Sequence, residues 1–131
     1  MDKALNTLGL ARKAGLIELG EEPVGAAARA KKARLVIVAK DASDHSWRRA
    51  QSFVAHTEQH CIRVRFTKDE LGQSIGRTDL AMAAFTDPAL ALAFLKALGQ
   101  PEQYSRELES LAQRSARIQK RKTTKPKSRK K

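Results

Sequence analysis

The most hydrophobic stretch of the chain is residues 35–39, Leu-Val-Ile-Val-Ala. Five consecutive apolar residues rich in β-branched types are too few for an ordinary helix, and they lack the polar alternation of a strand with one face in water. They predict a strand that is covered on both faces. Because such a sheet needs helices above and below it, this run predicts a three-layer α/β/α sandwich.

The other hydrophobic patterns predict the helices and strands that such a sandwich needs. Helical spacing and capping residues predict helices that begin near residue 4, after Gly20, after Ser43 or Asp44, at Thr67 or Lys68, and after Asp87. Further strands are predicted at residues 16–19, 62–66 and 79–85. Residues 62–66 alternate apolar residues with arginine, which places them near a sheet edge. We therefore expect one α/β domain over residues 1–99, with a four-stranded mixed sheet.

The positive charge of the chain is concentrated at its C-terminal end. The formal net charge is +12, but residues 1–113 hold 16 basic and 14 acidic side chains, a net charge of only +2. The last 18 residues hold ten basic side chains and no acidic one. Residues 100–131 therefore predict a basic extension, first a marginal helix anchored by Tyr104, Leu108 and Leu111, and then disorder from Lys120 onward.

A cationic segment of this kind attracts polyanions. The sequence has no apolar run of the ~20 residues that span a bilayer, and the extension lacks the aromatic or leucine face of a membrane helix. We therefore expect RNA as the partner and no membrane binding. The tail residues expected to contact phosphate are Lys120, Arg121, Lys122, Lys125, Lys127, Arg129, Lys130 and Lys131.

The sequence has no pattern that predicts secretion, catalysis or a cofactor. The N-terminus does not resemble a signal peptide, and Cys61 is the single cysteine, so we expect a cytoplasmic protein. We also expect a monomer. His56 and His60 are spaced for one metal ion with Cys61 adjacent, but zinc sites normally need three or four ligands, and a buried thiol is the simpler interpretation. A superficial resemblance to a catalytic set is formed by Ser43, His45 and either Asp41 or Asp44, yet Ser and Asp are expected caps at a helix start.

Four motifs lie in one order within residues 4–98: LGLARKAG at 8–15, GEEPV at 20–24, ARLVIVAKDAS at 33–43 and ELGQSIGR at 70–77. With this order and spacing the chain resembles the L7Ae/L30e family of ribosomal and RNA-binding proteins, and within it the small bacterial members of the YlxQ type. The resemblance implies the three-layer fold that the hydrophobic pattern indicates on its own. It also implies RNA binding without catalysis.

In family members that bind kink-turn RNA, the start of the second helix and the loop before the last strand grip the bent RNA. The resemblance therefore implies RNA contacts at Gly20, Glu21, Glu22, Leu71, Gly72, Gly76, Arg77 and Thr78. Arg12, Lys13 and Lys40, like Arg77, could surround that end of the domain and contact phosphate. Ordinary solvated surface charge is the alternative for each of these four residues.

The start of the second helix departs from the kink-turn readers, which resemble Gly-Thr-Asn-Glu with a lysine three places on. Here Glu22, Pro23 and Ala26 stand at the asparagine, glutamate and lysine positions. A carboxylate in place of an amide loses hydrogen-bond donors and repels phosphate, so we expect little preference for a standard kink-turn. Glu21 and Glu22 have two open interpretations, contact with base donors or complementarity to the helix dipole.

These observations predict a non-catalytic RNA-binding protein associated with ribosomal RNA or ribosome assembly, with ribosomal proteins as possible further partners. The domain would recognise the shape of the RNA, and the basic tail would add electrostatic affinity. The alternative is a protein-interaction adaptor. The same fold is known in proteins with other roles, and the glutamate-rich start of the second helix could dock a basic partner.

Overall fold

Helices and strands alternate along the chain, as the hydrophobic patterns predict. The computed structural model describes the backbone of residues 2–129 and the side chains of residues 2–117. Over this part of the chain the elements are α1 (Lys3–Ala14), β1 (Ile17–Leu19), α2 (Glu21–Arg29), β2 (Leu35–Val38), α3 (Asp44–Val54), β3 (His60–Arg63), α4 (Lys68–Ser74), β4 (Met82–Phe85), α5 (Pro88–Leu98) and α6 (Ser105–Arg129). No helix within residues 2–129 combines the length and the apolar character needed to cross a membrane.

The strands form one mixed sheet in the order β1-β4-β2-β3. Strand β2 pairs in parallel with β3 and antiparallel with β4, which in turn pairs antiparallel with β1. All four residues of β2 are buried, because the strand has neighbours on both sides and helices on both faces. The apolar run at 35–39 is therefore an interior strand, and the prediction that the arginine-rich strand lies at an edge is confirmed.

Helices cover both faces of the sheet, which confirms the three-layer α/β/α prediction. Helices α2 and α3 pack against each other and on one face, while α1, α5 and α6 pack together on the other. The rings of Phe85 in β4 and Phe94 in α5 lie 5.1 Å apart in this second layer. Their burial, with that of Leu8 and Leu95, provides the apolar area that stabilises the sandwich.

Two predicted strands differ from the observed strands by more than one residue at an end. Strand β3 begins at His60 and ends at Arg63, because its parallel register matches Leu35 with His60 and Val38 with Arg63. Strand β4 begins only at Met82. Residues 79–81 lie outside the ladder because the chain there closes a loop, in which the N–H of Leu80 donates to the carbonyl of Lys68 at 3.0 Å.

Helix α6 extends the packed body beyond the predicted boundary at residue 99. Tyr104 and Leu111 are buried in the main core, and α6 packs along α5. The helix continues to Arg129, so the structure differs from the disorder predicted to begin at Lys120. The prediction for residues 130–131 lies outside the described residues.

Candidate nucleic-acid interface

The loops that carry the predicted RNA-binding residues meet at one edge of the sheet. Strands β1, β2 and β3 end at this edge and β4 begins there. The N–H of Gly20 donates to the carbonyl of Met82 at 3.0 Å, and the N–H of Lys40 donates to the carbonyl of Phe66 at 2.7 Å. The N–H of Ala39 also donates to the carbonyl of Ala81 at 2.8 Å, which joins the end of β2 to the loop before β4. We name the loops β1–α2, β2–α3, β3–α4 and α4–β4 together the Gly20 edge.

Helices α2, α3 and α4 all begin at the Gly20 edge. Their N-terminal ends carry partial positive charge and orphan N–H groups, which favour anions. The Oγ of Ser43 accepts from the N–H of Ser46 at 3.1 Å, and Thr67 and Glu70 form a reciprocal capping box. Helix α2 differs because its N-cap is Gly20, which supplies no capping side chain. The start of α2 therefore offers backbone amides that a ligand can approach closely.

The two glutamates at the start of α2 have different surroundings. Nε of Arg49 in α3 donates to Oε2 of Glu21 at 2.7 Å, so this carboxylate is already paired. Glu22 is exposed, and Pro23 beside it is exposed as well. The structure therefore leaves Glu22 as the acidic side chain that this turn presents to solvent. A basic partner protein would have to compete with Arg49 for the carboxylate of Glu21.

The segment formed by α4 and the loop that joins it to β4 has a buried part within the helix and an exposed part in the loop. Leu71 is fully buried, and a Cβ on Gly72 would lie 2.6 Å from Cα of Asp79. The core therefore holds the Leu71 side chain, and the backbone of Asp79 fills the space beside Gly72, while RNA contact at these two residues stays a prediction. Gly76, Arg77 and Thr78 form the exposed part. Gly76 has a φ of +77°, which glycine adopts without strain.

The four basic residues predicted to surround the Gly20 edge differ in their contacts and in their positions. Nη1 of Arg12 in the last turn of α1 donates to the carbonyl of Ile75, so Arg12 holds the start of the exposed loop. Lys40 and Arg77 lie on exposed positions of the Gly20 edge. Lys13 is exposed on α1, and no described contact joins it to the loop. For the predicted tail contacts at residues 120–131, the side chains lie outside the described part.

Comparison with known proteins identifies the family to which this chain belongs. No protein-family model matches the chain. The chain is 37% identical to the RNA-binding protein YlxQ of Enterococcus faecium over 75 residues, which are 57% of this chain and 72% of the relative. The chain belongs to the YlxQ family.

Solved structures share the fold of this YlxQ-family chain. A Bacillus halodurans protein of unknown function matches with a TM-score of 0.70 and 24% identity, over 76% of this chain and 99% of its own. The 15.5kD RNA-binding protein of Giardia lamblia matches with a TM-score of 0.60 and 19% identity, over 77% and 86%. At these identities the matches establish the fold alone, and they agree with the α/β architecture of the chain.

The histidine and cysteine positions of the YlxQ-family chain form no convergent ligand set. Within the described residues, no three His, Cys, Asp or Glu side chains lie where they could hold one metal ion. Burial raises the pKa of the Cys61 thiol to about 12, so Cys61 is protonated at neutral pH. Burial lowers the pKa of His60, against a smaller opposing effect of Glu107.

A second basic surface, which the sequence analysis did not single out, lies at the opposite edge of the sheet. A cleft of about 530 Å³ is lined there by Lys31, His56, Thr57, Glu58, Gln59 and Arg114. The available sequence signal was the run at residues 29–34, in which four of six residues are basic although residues 1–113 are nearly neutral. The cleft itself could not be predicted, because Arg114 comes from a helix more than 50 residues away in sequence.

Proposed function

We propose that this YlxQ-family protein is a non-catalytic RNA-binding protein whose Gly20 edge contacts structured RNA. The observation that carries the proposal is the convergence of an α2 start that lacks a capping side chain with the exposed cations Lys40 and Arg77. Phosphates are favoured at helix N-termini and by cations, and an N-cap without a side chain admits a close approach. The names of the Enterococcus and Giardia proteins support RNA as the ligand.

Different parts of the edge suit different parts of the RNA. Lys40 and Arg77 are donors for phosphate oxygens, which position an RNA without reading its sequence. Glu22 accepts hydrogen bonds only and repels phosphate, so it suits base amino groups in an unpaired or bulged segment. An internal loop that exposes such amino groups is therefore a better ligand class than a continuous duplex.

The full proposal places the protein in the cytoplasm, on ribosomal RNA or a ribosome-assembly intermediate. The basic tail adds sequence-independent affinity to the shape recognition of the domain. This assignment is tested by sedimentation with ribosomal subunits before and after mild nuclease treatment. Release by nuclease is expected for an RNA contact, whereas retention after complete digestion would support a protein-interaction adaptor.

The Gly20 edge is tested by replacing its cations in the full chain. We expect Lys40→Gln combined with Arg77→Gln to weaken binding to an internal-loop RNA by about tenfold, and to reduce the slope of log K against log salt by about 1.5 in magnitude. The matched control is Lys3→Gln combined with Lys96→Gln, which removes the same charge from exposed positions on α1 and α5. Equal losses in the two double variants would show that only net charge matters.

The residues at the start of α2 that differ from those of the kink-turn readers give a second test of the proposed function. Because Glu22 stands where the kink-turn readers have asparagine, we expect a standard kink-turn RNA to bind no more than about threefold more tightly than an unkinked duplex. Anisotropy titrations with the two RNAs at one salt concentration measure this ratio. A preference of a hundredfold would show that Glu22 and Pro23 are accepted replacements in kink-turn recognition.

A further inference from the structure

We propose that the edge opposite the Gly20 edge is a second RNA-binding surface, which contacts the phosphates of a separate duplex segment. We name it the tail-root surface, and its basic residues are Arg29, Lys31, Lys32, Arg34, Arg114 and Arg117. The inference rests on the proposed RNA binding. It adds that the protein holds two RNA segments, one at each edge of the sheet.

The course of α6 brings the basic tail to this edge. Near the start of α6, Oη of Tyr104 donates to the carbonyl of Arg63 at 3.2 Å, at the end of β3. Three turns later, Nη2 of Arg114 pairs with Oε1 of Glu58, which lies just before the start of β3. Helix α6 therefore runs antiparallel to β3 and reaches the tail-root surface at Arg114, the first of the ten basic residues near the C-terminus.

Hydrogen bonds give the tail-root surface a fixed shape. Oε1 of Gln59 accepts from the N–H of Ala33 at 2.9 Å, and its Nε2 donates to the carbonyl of Ala28 at 3.2 Å. One side chain thus joins the loop between α3 and β3 to the loop between α2 and β2. The side-chain oxygen and nitrogen of Gln59 are both hydrogen-bonded, and these bonds hold the two walls of the cleft together.

The helix ends at this cleft carry side chains where glycine is the usual residue. Among the described residues, Lys31 and His56 are the non-glycine residues with positive φ, at 61° and 63°, and both line the cleft. The N–H groups of Lys31 and Lys32 donate to the carbonyls of Ala28 and Ala27, the pattern of a helix end that favours glycine at the Lys31 position. A lysine at this position also interacts favourably with the negative end of the α2 dipole. That interaction does not explain why α6 places a second cation, Arg114, in the same cleft.

The charge of the surface suits phosphate more than bases. Residues 29–34 contribute four cations and no acid, and Arg117 is exposed beside Arg114. Glu58 is the opposing acid within the cleft, and its side chain is 87% exposed. The six lining residues include no Phe, Tyr or Trp on which an unpaired base could stack. Duplex RNA, which presents phosphates without unstacked bases, fits this surface.

The ion pair between Arg114 and Glu58 provides a matched pair of variants for the full chain. Both Arg114→Gln and Glu58→Gln break the pair, but they change the charge of the cleft in opposite directions. With a plain RNA duplex we expect Arg114→Gln to weaken binding about threefold and to lower the salt slope by about 0.9 in magnitude, and Glu58→Gln to tighten binding. Changes in the same direction, or no change in either variant, would overturn the inference.

A second variant removes a cation without disturbing the helix end. Asparagine adopts positive φ more readily than most residues, so Lys31→Asn keeps the backbone of the cleft while removing the charge. We expect a loss of about threefold, with an unchanged circular dichroism spectrum. The control is Lys96→Gln on α5, which removes one exposed cation elsewhere. An equal loss in Lys96→Gln would assign the effect to net charge and overturn the inference.

A capture assay separates this inference from the proposed function. The protein is first bound to an immobilised internal-loop RNA, and a fluorescent RNA duplex is then added. We expect the chain to capture the duplex, with less captured by the combination of Lys31→Asn and Arg114→Gln. Binding of the first RNA without capture would overturn the second surface alone. Failure to bind either RNA would overturn the proposed function together with this inference.

Discussion

Arg49 of α3 donates from Nε to Oε2 of Glu21, the first residue of α2, across 2.7 Å. The guanidinium also lies 5.1 Å from the ring centroid of Phe53 in its own helix. This pair joins the start of α2 to the second turn of α3 and neutralises a carboxylate at the Gly20 edge. Exposed ion pairs contribute only about 0–1 kcal/mol to stability, so the main consequence concerns what the edge can bind.

Loss of the Arg49 guanidinium is expected to weaken RNA binding more than it weakens folding. Arg49→Gln leaves Glu21 as an additional unneutralised carboxylate beside the RNA, and we expect a three- to tenfold loss in affinity at moderate salt. The melting temperature should fall by only about 2 °C or less. Anisotropy titration and thermal melting measure the two effects. If the double variant with Glu21→Gln does not recover most of the affinity, repulsion is not the cause.

Two glycines in the α4–β4 region are expected to respond very differently to alanine. Gly72→Ala places a Cβ 2.6 Å from backbone Cα of Asp79, which cannot move aside as a flexible side chain can, so we expect a loss of about 2–3 kcal/mol. Gly76→Ala meets no atom within 4 Å, but its φ of +77° costs about 1 kcal/mol. Urea unfolding of both variants measures these values. A larger loss at Gly76 than at Gly72 would contradict the described loop.

The lowered pKa of His60 predicts a pH dependence of stability. Because burial lowers its pKa in the folded state below the ordinary histidine value of 6.5, the unfolded chain binds the proton more readily as the pH falls. The His60 contribution is therefore complete above that value and is progressively lost below it. We expect the melting temperature to decrease from pH 7.5 to pH 5.5, and His60→Gln to show a smaller decrease. Identical pH profiles would contradict a buried neutral imidazole.

The basic tail is expected to supply affinity without specificity. Removal of residues 120–131 leaves the buried anchors Tyr104 and Leu111 in place, so the domain should remain folded. RNA affinity should fall by roughly tenfold or more at moderate salt, by a similar factor for different RNAs. A replacement tail of the same length made of Gly and Ser is the control for chain length. Unchanged affinity in both variants would show that the tail takes no part in RNA binding.

The fold was predictable because its signals are local. The run at residues 35–39 specifies a buried strand. The sequence predicts caps at Ser43 and Asp87 and a helix start at Thr67, and each of these three side chains accepts a backbone N–H. Short strands were less predictable. The register of β3 depends on pairing with β2, which is a property of the sheet and not of residues 60–66.

The candidate site was predictable only in part, because exposure and long-range pairing decide its chemistry. Leu71 and Gly72 belong to a motif that implied RNA contact, yet packing places them inside the domain. The pairing of Arg49 with Glu21 joins residues 28 positions apart, and the pairing of Arg114 with Glu58 joins residues 56 apart. Neither pair has a sequence pattern, since any surface arginine could have met either glutamate.

The most direct test of the account is photo-crosslinking of the full chain to RNA in cells, with the crosslinked peptides mapped by mass spectrometry. We predict crosslinks to ribosomal RNA in the peptides that contain Gly20 to Glu22, Lys40, and Gly76 to Thr78. Variants at Lys40 and Arg77 should lower their yield. Abundant crosslinks confined to the exposed surface of α5, with none at these loops, would contradict RNA binding at the Gly20 edge.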